Sequence, residues 1–281
     1  MIQVRVTVSL VPGESMGNSS ANIYDLMPPE ELMFVGGGLD NFMVIGEAFV
    51  RDFQTRCRLQ PNERVLDVGC GVGRIAIPLT AFLNSEARYE GFDVVPEGIE
   101  WCQKNISSRY PNFHFRLADI YNKQYHPSGT QASRYRFPYE DSSFDFICLA
   151  SVFTHMLPKD MKNYFREISR VLAIGGRCMI TFFLLNEESL TALNAGKSTL
   201  SFDHRFRHYR IHSLETPEGA ISYDEKCVLK LYGVNALEIE PPILHGVWSG
   251  RDSAYLGYQD IIIAHKTEQG LLQKAKSFFQ S

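Results

Sequence analysis

From residue 61 onward, short apolar runs alternate with segments whose apolar residues recur every three or four positions. Short apolar runs are typical of buried strands, and the longer repeats are typical of amphipathic helices. The runs predict strands at Val65–Val68, Arg88–Asp93, Phe113–Ala118, Phe144–Ala150 and Cys178–Leu185. The repeats between them predict helices over Ile75–Leu83, from Pro96 and from Pro158. Because strands alternate with helices, we expect an α/β fold with a doubly wound, mostly parallel sheet.

The alternation of strand and helix stops after residue 185. Residues 200–235 read as an inserted, aromatic-rich segment. Two further apolar runs, Leu237–Ile243 and Gln259–His265, have no helical pattern between them, which predicts an antiparallel strand pair. Residues 268–280 have the apolar spacing of a short amphipathic helix.

The N-terminal part has a different pattern from the core. Apolar and polar residues alternate over residues 2–10, which predicts a strand with one buried face. Residues 23–60 read as a helical lead-in that the glycines at 36–38 interrupt. The chain therefore divides into an N-terminal strand and lid segment (1–60), a ligand-binding core (61–185), an inserted cover with the antiparallel pair (186–267) and a C-terminal amphipathic helix (268–281).

Composition and charge exclude several classes of protein. The 281 residues are 44% hydrophobic and 21% charged, which is typical of a globular chain and not of a disordered or fibrous one. The net charge of −4 gives no electrostatic reason to expect a nucleic-acid or membrane partner. No run approaches the roughly 18 apolar residues of a spanning helix, and the N-terminus lacks the apolar segment of a signal peptide. We therefore expect a cytoplasmic protein.

Cysteine and histidine spacing predicts neither a disulfide framework nor a metal site. The six cysteines lack the C-x-x-C spacing of zinc and redox sites. His204, His208 and His212 recur at four-residue intervals, which on a helix would put three imidazoles on one face. The surrounding stretch 202–212 reads at least as well as a half-exposed strand, so we expect no bound metal.

The most specific motif is a glycine-rich turn that follows the first strand of the core. Asp67, Gly69, Gly71 and Gly73 occupy alternate positions where the chain passes from strand to helix. A dinucleotide-binding turn would have glycine at the position of Arg74. Asp67, two residues before the first glycine, would also repel the pyrophosphate of a dinucleotide. The acid suits a ligand that presents an ammonium group, and the glycine N–H groups remain available for a carboxylate.

The motifs around this turn resemble those of the class I S-adenosylmethionine-dependent methyltransferases. The segment Asp67–Gly73 is similar to the first motif of that family. Asp93, at the end of the second strand, matches the family's acid for both ribose hydroxyls. Asp119 and Ile120, after the third strand, match the pair that reads the adenine amino group and packs on the adenine ring.

This resemblance is firm over residues 40–185 and looser over 230–265. It implies a seven-stranded Rossmann-like methyltransferase fold, with S-adenosylmethionine as cofactor and S-adenosylhomocysteine as product. The residues that we expect to bind the cofactor are Asp67, Gly69, Cys70, Gly71, Arg74, Asp93, Val94, Asp119, Ile120, Ala150 and Ser151. Because the sulfonium methyl leaves a neutral thioether, the protein has only to align the groups, exclude water and, where needed, remove a proton.

His155 is the candidate general base, because it follows the fourth strand and its ordinary pKa lies near neutral pH. A contact without proton transfer and a purely structural hydrogen bond stay open as roles for this side chain. The stretch Leu149–Phe153 lacks the Asn/Asp-Pro-Pro-Tyr/Phe motif of family members that methylate exocyclic amines. The sequence therefore favours methylation of a hydroxyl over methylation of an amine.

Residues outside the core are the candidates for substrate binding. Phe34 precedes glycines suited to a flexible lid. Trp248 and Arg251 supply an aromatic wall and a fixed cation between the last two strands, and Tyr255 follows them. Plain packing is the more frequent role of a tryptophan such as Trp248.

We expect a small-molecule substrate, because the chain shows no added nucleic-acid or protein-binding module. We expect the protein to be a monomer or a homodimer. N-methylation of a small molecule and methylation of RNA or protein are the alternatives. The arginines and aromatics of His204–Arg210 are the local indication of RNA. A further alternative is an assembly protein that kept the cofactor fold without catalysis.

Overall fold

The computed structural model describes residues 23–33, 38–121, 128–252, 255 and 257–268. The predicted strand at 2–10, the lid residue Phe34 and residues 269–280 of the predicted C-terminal helix lie outside these ranges. The chain divides into two compact units. Unit 1 contains residues up to 63 and residues 70–118, and unit 2 contains residues 64–69 and those from 119 onward.

Strands and helices alternate along the described chain. The strands are β1 (Arg64–Val68), β2 (Arg88–Asp93), β3 (Phe113–Leu117), β4 (Phe144–Leu149), β5 (Leu172–Phe182), β6 (Leu184–Leu185), β7 (His204–Arg205), β8 (Tyr209–Ile211), β9 (Ile221–Asp224), β10 (Leu237–Leu244) and β11 (Asp260–Lys266). The α-helices are α1 (Gly38–Thr55), α2 (Ala76–Leu79), α3 (Pro96–Cys102), α4 (Pro158–Val171), α5 (Glu187–Asn194) and α6 (Glu225–Val234). Short 3-10 helices include Phe153–His155, Pro217–Gly219 and Val247–Ser249.

The main sheet has the strand order β10-β11-β5-β4-β1-β2-β3. The pairs β1–β4, β4–β5 and β2–β3 are parallel, whereas β11 runs antiparallel to both β5 and β10. This arrangement confirms the predicted α/β fold with a mostly parallel seven-stranded sheet and a final antiparallel pair. All residues of β4 except Asp145 are buried, and the strand is apolar at each of those buried positions, as expected for a strand that is covered on both faces.

The core of unit 1 follows from the apolar spacing of its helices. Ile99, Cys102 and Ile106 recur three or four residues apart along α3 and its π-helical continuation, and each is at most 2% exposed. The predicted helix over Ile75–Leu83 is shorter in the structure, where only α2 is α-helical. After Leu79 the chain continues in 3-10-type turns, in which Ala81 N–H donates to the Pro78 carbonyl oxygen and Phe82 N–H donates to the Leu79 carbonyl oxygen.

The inserted segment of unit 2 forms a second sheet with the order β6-β9-β8-β7. The predicted single strand over 202–212 is wrong, because this stretch folds into the antiparallel hairpin of β7 and β8. Strands of two to four residues are too short to display a period of two, so the sequence pattern did not reveal them. The sequence also gave no prediction of α6, whose N-cap Asp224 accepts a hydrogen bond from Cys227 N–H at 3.2 Å.

β5 begins earlier than predicted. It runs from Leu172 through Gly175 and Gly176, whereas the apolar run alone placed its start at Cys178. The pairing of β4 with β5 is irregular near this point, and Gly175 has a φ of +79°. The glycines therefore allow a local irregularity inside a strand instead of ending it.

All six cysteines are free thiols, and five of them are buried. Within the ranges that the structure covers, no group of His, Cys, Asp and Glu side chains is arranged to hold a metal ion. No α-helix in those same ranges combines the length and the apolarity needed to cross a bilayer.

Candidate cofactor and substrate site

Unit 1 places the second part of the glycine-rich turn against the end of β2. Gly71 and Gly73 have φ of +56° and +80°, a backbone conformation that glycine adopts without a steric penalty. Gly71 N–H donates a hydrogen bond of 2.7 Å to Asp93 Oδ2. Cys70 N–H donates to the carbonyl oxygen of Phe92 at 3.1 Å. The turn is therefore fixed to the carboxyl end of β2.

The Asp93 carboxylate accepts three backbone hydrogen bonds. Besides Gly71 N–H, it accepts from Val94 N–H at 2.7 Å and from Val95 N–H at 3.1 Å, both to Oδ1. Burial raises the pKa of Asp93, and these three hydrogen bonds, which favour the charged form, offset only part of that rise. A carboxylate has roughly four acceptor positions, so Asp93 retains capacity for a hydroxyl donor.

Unit 2 contains the start of the turn and the segment after β4. Asp67, on β1, is 1% exposed. Gly69 has a φ of +76°, and a Cβ atom built there would lie 2.5 Å from Val152 Cγ2. A larger residue at this position would push the turn away from the segment that carries Ser151 and His155.

Ser151, in the segment after β4, has an uncommon backbone conformation. Its φ of +61° lies in the left-handed region, which residues other than glycine rarely adopt. Its N–H donates to Thr181 Oγ1 at 2.7 Å, and its hydroxyl donates to Gln259 Oε1 at 3.1 Å. Such conformations persist where neighbouring groups fix them, and they cluster at functional sites.

Asp119 and Ile120 lie just after β3 and differ in exposure. Asp119 is exposed, whereas Ile120 is 3% exposed. Gly129, with a φ of +105°, packs so closely that a Cβ atom there would lie 2.5 Å from Asp119 Oδ1. Thr130 N–H donates to the carbonyl oxygen of Asp119 at 3.0 Å. The carboxylate is thus accessible to a ligand, while Ile120 presents little surface to an adenine ring.

His155 ends the 3-10 helix Phe153–His155, and its Nδ1 lies 3.0 Å from the carbonyl oxygen of Glu218. Because a carbonyl oxygen only accepts, Nδ1 must carry the proton in this hydrogen bond. The neutral ring then has its lone pair on Nε2. The side chain of His155 is exposed, yet the protein packed around its ring lowers its pKa by desolvation, and the hydrogen bonds with the backbone of Glu218 and Gly219 counter this only in part. The geometry therefore favours a neutral imidazole with a basic Nε2.

Two of the predicted substrate residues are buried in unit 2. Trp248 is 0% exposed and packs on Phe183, with ring centroids 5.1 Å apart. The side chain of Arg251 has 0% exposure and pairs with Glu188 Oε2 at 3.1 Å. Tyr255 is half-buried, and its N–H donates to the carbonyl oxygen of His245 at 2.6 Å. Substrate contact by Trp248 or Arg251 stays a prediction that their burial does not favour.

A buried carboxylate near these residues was not predicted from the sequence. Asp260, which begins β11, is 0% exposed and accepts from Leu184 N–H at 2.6 Å, Trp248 Nε1–H at 2.7 Å and Gly246 N–H at 2.8 Å. Burial raises its pKa to about 6, against the lowering effect of these donors. An acid directly before the apolar run Ile261–Ile263 was the available signal. The Glu218 carbonyl, being backbone, has no signal in the sequence.

The structure brings some predicted residues together within each unit. In unit 1, Cys70 and Gly71 lie with Asp93 and Val94. In unit 2, Gly69 lies against the segment that contains Ala150 and Ser151. Open α/β sheets bind their ligands at the carboxyl ends of their strands, and in each unit these residues follow a strand.

The chain belongs to the class I S-adenosylmethionine-dependent methyltransferase family. A family model described as "Methyltransferase domain" matches residues 59–223, which is more than half of the chain. This span contains every predicted cofactor-binding residue from Asp67 to Ser151.

Curated relatives and solved structures agree with this assignment. The chain is 29% identical over 175 residues to Methyltransferase GfsG of Streptomyces halstedii, covering 60% of this chain and 56% of the relative. It is 30% identical over 172 residues to the 27-O-demethylrifamycin SV methyltransferase of Amycolatopsis mediterranei, covering 58% of this chain and 57% of the relative. It is 31% identical over 128 residues to the ubiquinone/menaquinone biosynthesis C-methyltransferase UbiE of Geotalea daltonii, covering 46% of this chain and 48% of the relative.

The chain therefore spans about half the length of the curated relatives that it matches. The crystal structure of the PH0226 protein from Pyrococcus horikoshii is similar with a TM-score of 0.55 and 17% identity, over 80% of this chain and 90% of that one. At this identity the similarity supports the fold alone.

The family's cofactor is S-adenosylmethionine, and the described residues fit its polar groups. Asp93 has spare acceptor capacity for a ribose hydroxyl. Asp67 is a buried acid that suits an ammonium group, and Asp119 is an accessible acid that suits an amino group. The positive φ of Gly69 and Gly71 sets the turn in which backbone N–H groups can approach a carboxylate.

Proposed function

We propose that this protein is an S-adenosylmethionine-dependent methyltransferase that methylates a hydroxyl group of a small molecule, with His155 as general base. The observation that supports this most is the hydrogen bond from His155 Nδ1–H to the Glu218 carbonyl oxygen. It leaves Nε2 as the basic atom of a ring whose lowered pKa keeps it neutral at neutral pH.

The cofactor, when bound, supplies a methyl group on a sulfonium centre whose leaving group is neutral. A hydroxyl is a weak nucleophile, so proton removal during the transfer accelerates its reaction. His155 takes that proton on Nε2, and the Glu218 carbonyl stabilises the imidazolium by accepting from Nδ1–H. Ser151, Thr181 and Gln259 position the segment after β4 that carries His155.

Two observations support oxygen as the acceptor atom. The segment Leu149–Phe153 lacks the motif for amine methylation. One curated relative is named as a methyltransferase for a 27-O-demethyl compound. A second candidate, C-methylation, is favoured by the relative named as a C-methyltransferase. Both acceptor atoms lose a proton on methylation, so a base such as His155 serves either reaction.

Product analysis tests the acceptor atom directly. The protein is incubated with S-adenosylmethionine that has a 13C-labelled methyl group and with a panel of hydroxyl-, amine- and enol-bearing small molecules. Because methyl carbons on oxygen, nitrogen and carbon resonate in separate regions, the NMR spectrum of the product identifies the acceptor. We expect an O-methyl signal that is absent with His155→Gln. An N-methyl product whose yield is independent of His155 would contradict the proposal.

Methylation of RNA is the alternative that predicts binding of a macromolecule. The segment His204–Arg210 supplies three arginines, yet the whole chain has a net charge of −4. We expect no gel shift of structured RNA at physiological salt, because a basic surface is needed to neutralise several phosphates. A salt-dependent shift that Arg205→Gln abolishes would favour RNA as substrate.

A further inference from the structure

Two arginines face each other across the β7–β8 hairpin. Arg205 and Arg210 are direct partners in its antiparallel register, and such partners lie on one face of a sheet with Cβ atoms about 5 Å apart. Among the residues that the structure describes, neither guanidinium has a hydrogen-bond or ion-pair partner. Burial and the charge of Arg205 lower the pKa of Arg210. Like charges in this position destabilise a hairpin unless an anion joins them.

Aromatic contacts on the opposite face fix the hairpin. Phe206 stacks on Tyr209 with ring centroids 4.6 Å apart and an interplanar angle of 6°, and Phe206 N–H donates to the Tyr209 carbonyl oxygen at 2.9 Å. Tyr209 in turn contacts Tyr223 at 6.3 Å between centroids. The Tyr223 hydroxyl donates to the carbonyl oxygen of Met156. Because side chains alternate along a strand, this anchored face leaves Arg205 and Arg210 together on the other one.

The two arginines line a cavity of about 190 Å³. Its wall also contains Asn194, Ser201 and Asp203. Two arginines and one aspartate give these side chains a net charge of +1. Pockets for drug-sized ligands are about 300–1,000 Å³, so this cavity suits a smaller molecule.

We propose that this cavity, the arginine-hairpin site, binds a small phosphate monoester that has a hydroxyl group close to its phosphate. Planar guanidinium groups bind phosphate in a bidentate manner, and two of them match a dianion better than a singly charged carboxylate. Asp203 repels a bare anion but accepts a hydrogen bond from a neighbouring hydroxyl. The site is independent of methyl transfer, and nothing in its chemistry requires the methyl donor.

Calorimetric titration of the full chain with glycerol 3-phosphate, at constant ionic strength and without cofactor, tests the site. We expect glycerol 3-phosphate to bind at least tenfold more tightly than acetate or glycerol. Arg205→Gln and Arg210→Gln should each weaken this binding at least tenfold, because each removes a charged donor. Arg207→Gln is the matched control: it removes the same charge from the same hairpin but does not line the cavity, so we expect less than a twofold effect.

A second variant keeps the test decisive if an arginine variant does not fold. Asp203→Asn should tighten binding of inorganic phosphate, since repulsion is lost, and should reduce the preference for glycerol 3-phosphate over phosphate. Equal weakening by Arg207→Gln and Arg205→Gln would overturn the proposal in favour of non-specific charge. Binding of glycerol 3-phosphate no tighter than that of acetate would overturn it as well, and so would displacement of bound glycerol 3-phosphate by a short RNA at physiological salt.

Discussion

The proton on His155 Nδ1 determines what this residue can do. Its partner is the Glu218 carbonyl oxygen at 3.0 Å, which fixes the ring orientation as well as the tautomer. A backbone acceptor cannot change its charge, so the imidazole gains a proton only at Nε2. This is the arrangement of a general base whose second nitrogen is used for orientation.

Replacing His155 with glutamine is expected to lower kcat by about 10²–10⁴-fold, the usual contribution of a general base. Affinity for S-adenosylmethionine should be unchanged, since the proposed role is in proton transfer. Steady-state kinetics and a cofactor titration measure the two effects separately. His212→Gln is the control, because His212 bonds to Ser201 in the same insertion and is not proposed to react. Normal turnover in His155→Gln would contradict the base role.

The pH profile gives an independent readout of the same residue. A base must be deprotonated, so kcat/KM should rise with pH through the pKa of His155 and then level off. Because desolvation by the surrounding protein lowers that pKa from its ordinary value of 6.5, we expect the rise below pH 6.5 and a plateau above pH 7. In His155→Gln this acid limb should disappear. An acid limb that persists in the variant would assign the titration to another group.

At the scale of elements, β5 holds the segment after β4 through one hydroxyl. Thr181, 2% exposed, accepts from Ser151 N–H. Thr181→Val keeps the volume but leaves that N–H without its acceptor, which should cost about 1–3 kcal/mol of unfolding free energy. Thr181→Ser keeps the hydroxyl and loses a methyl, which costs about 0.8 kcal/mol. Urea denaturation should therefore rank the valine variant as the less stable, and the reverse order would contradict this role of the hydroxyl.

Asp260 joins β11 to Leu184, Gly246 and Trp248, and it makes stability depend on pH. Its pKa in the folded protein, about 6, lies above the ordinary 3.8, so folding favours the protonated form. The stabilisation is complete below pH 3.8 and is lost as pH rises through 6. A difference of about two pKa units corresponds to about 3 kcal/mol.

Unfolding free energies measured from pH 4 to pH 7 test this effect. Asp260→Asn should remove the part of the slope that belongs to Asp260, although it also weakens the hydrogen bonds. Asp252→Asn is the control, since the side chain of Asp252 is 92% exposed, and it should leave the slope intact. Identical slopes for the wild-type protein and Asp260→Asn would show that Asp260 does not titrate in this range.

The elements that could be predicted from sequence are those with enough residues to show a period. The strands of the main sheet are long enough for their apolar residues to form a run or an alternation, and the glycine-rich turn has a spacing that few other structures require. β7 has two residues and β8 has three, so no periodicity could reveal the second sheet. The early start of β5 was missed because its glycines resemble a loop signal.

In the candidate site, features that depend on side chains could be predicted from the sequence, whereas features that depend on the backbone could not. The glycines and acids of the cofactor motifs were predictable because their side chains, or the lack of them, are what the ligand requires. The Glu218 carbonyl and the conformation of Ser151 were not, because any residue type supplies a carbonyl and tertiary contacts impose the φ of +61°. Burial of Trp248 and Arg251 likewise depends on packing that the sequence does not display.

In the molecule as a whole, the family match over residues 59–223 includes β1–β5 and nearly all of the inserted sheet, while the last strand pair lies beyond its end. Functions within a fold family differ through such additions. The insertion supplies the carbonyl that orients His155 and the arginine-hairpin site. Choice of the methyl acceptor is therefore expected to depend on the part of the insertion that orients His155, and cofactor binding on the turns that follow β1, β2 and β3.

We expect this chain to bind S-adenosylmethionine through its glycine-rich turn and the acid that ends β2. Calorimetric titration of the wild-type protein, Asp93→Asn and Glu97→Gln measures it most directly, with Glu97 as an exposed acid on α3 close to the same strand end. We predict that the wild-type protein binds S-adenosylmethionine and S-adenosylhomocysteine saturably and shows no comparable binding of NAD. The affinity for both ligands should be at least tenfold weaker in Asp93→Asn and unchanged in Glu97→Gln. Absence of S-adenosylmethionine binding by the wild-type protein, or tighter binding of NAD, would contradict this assignment of the cofactor.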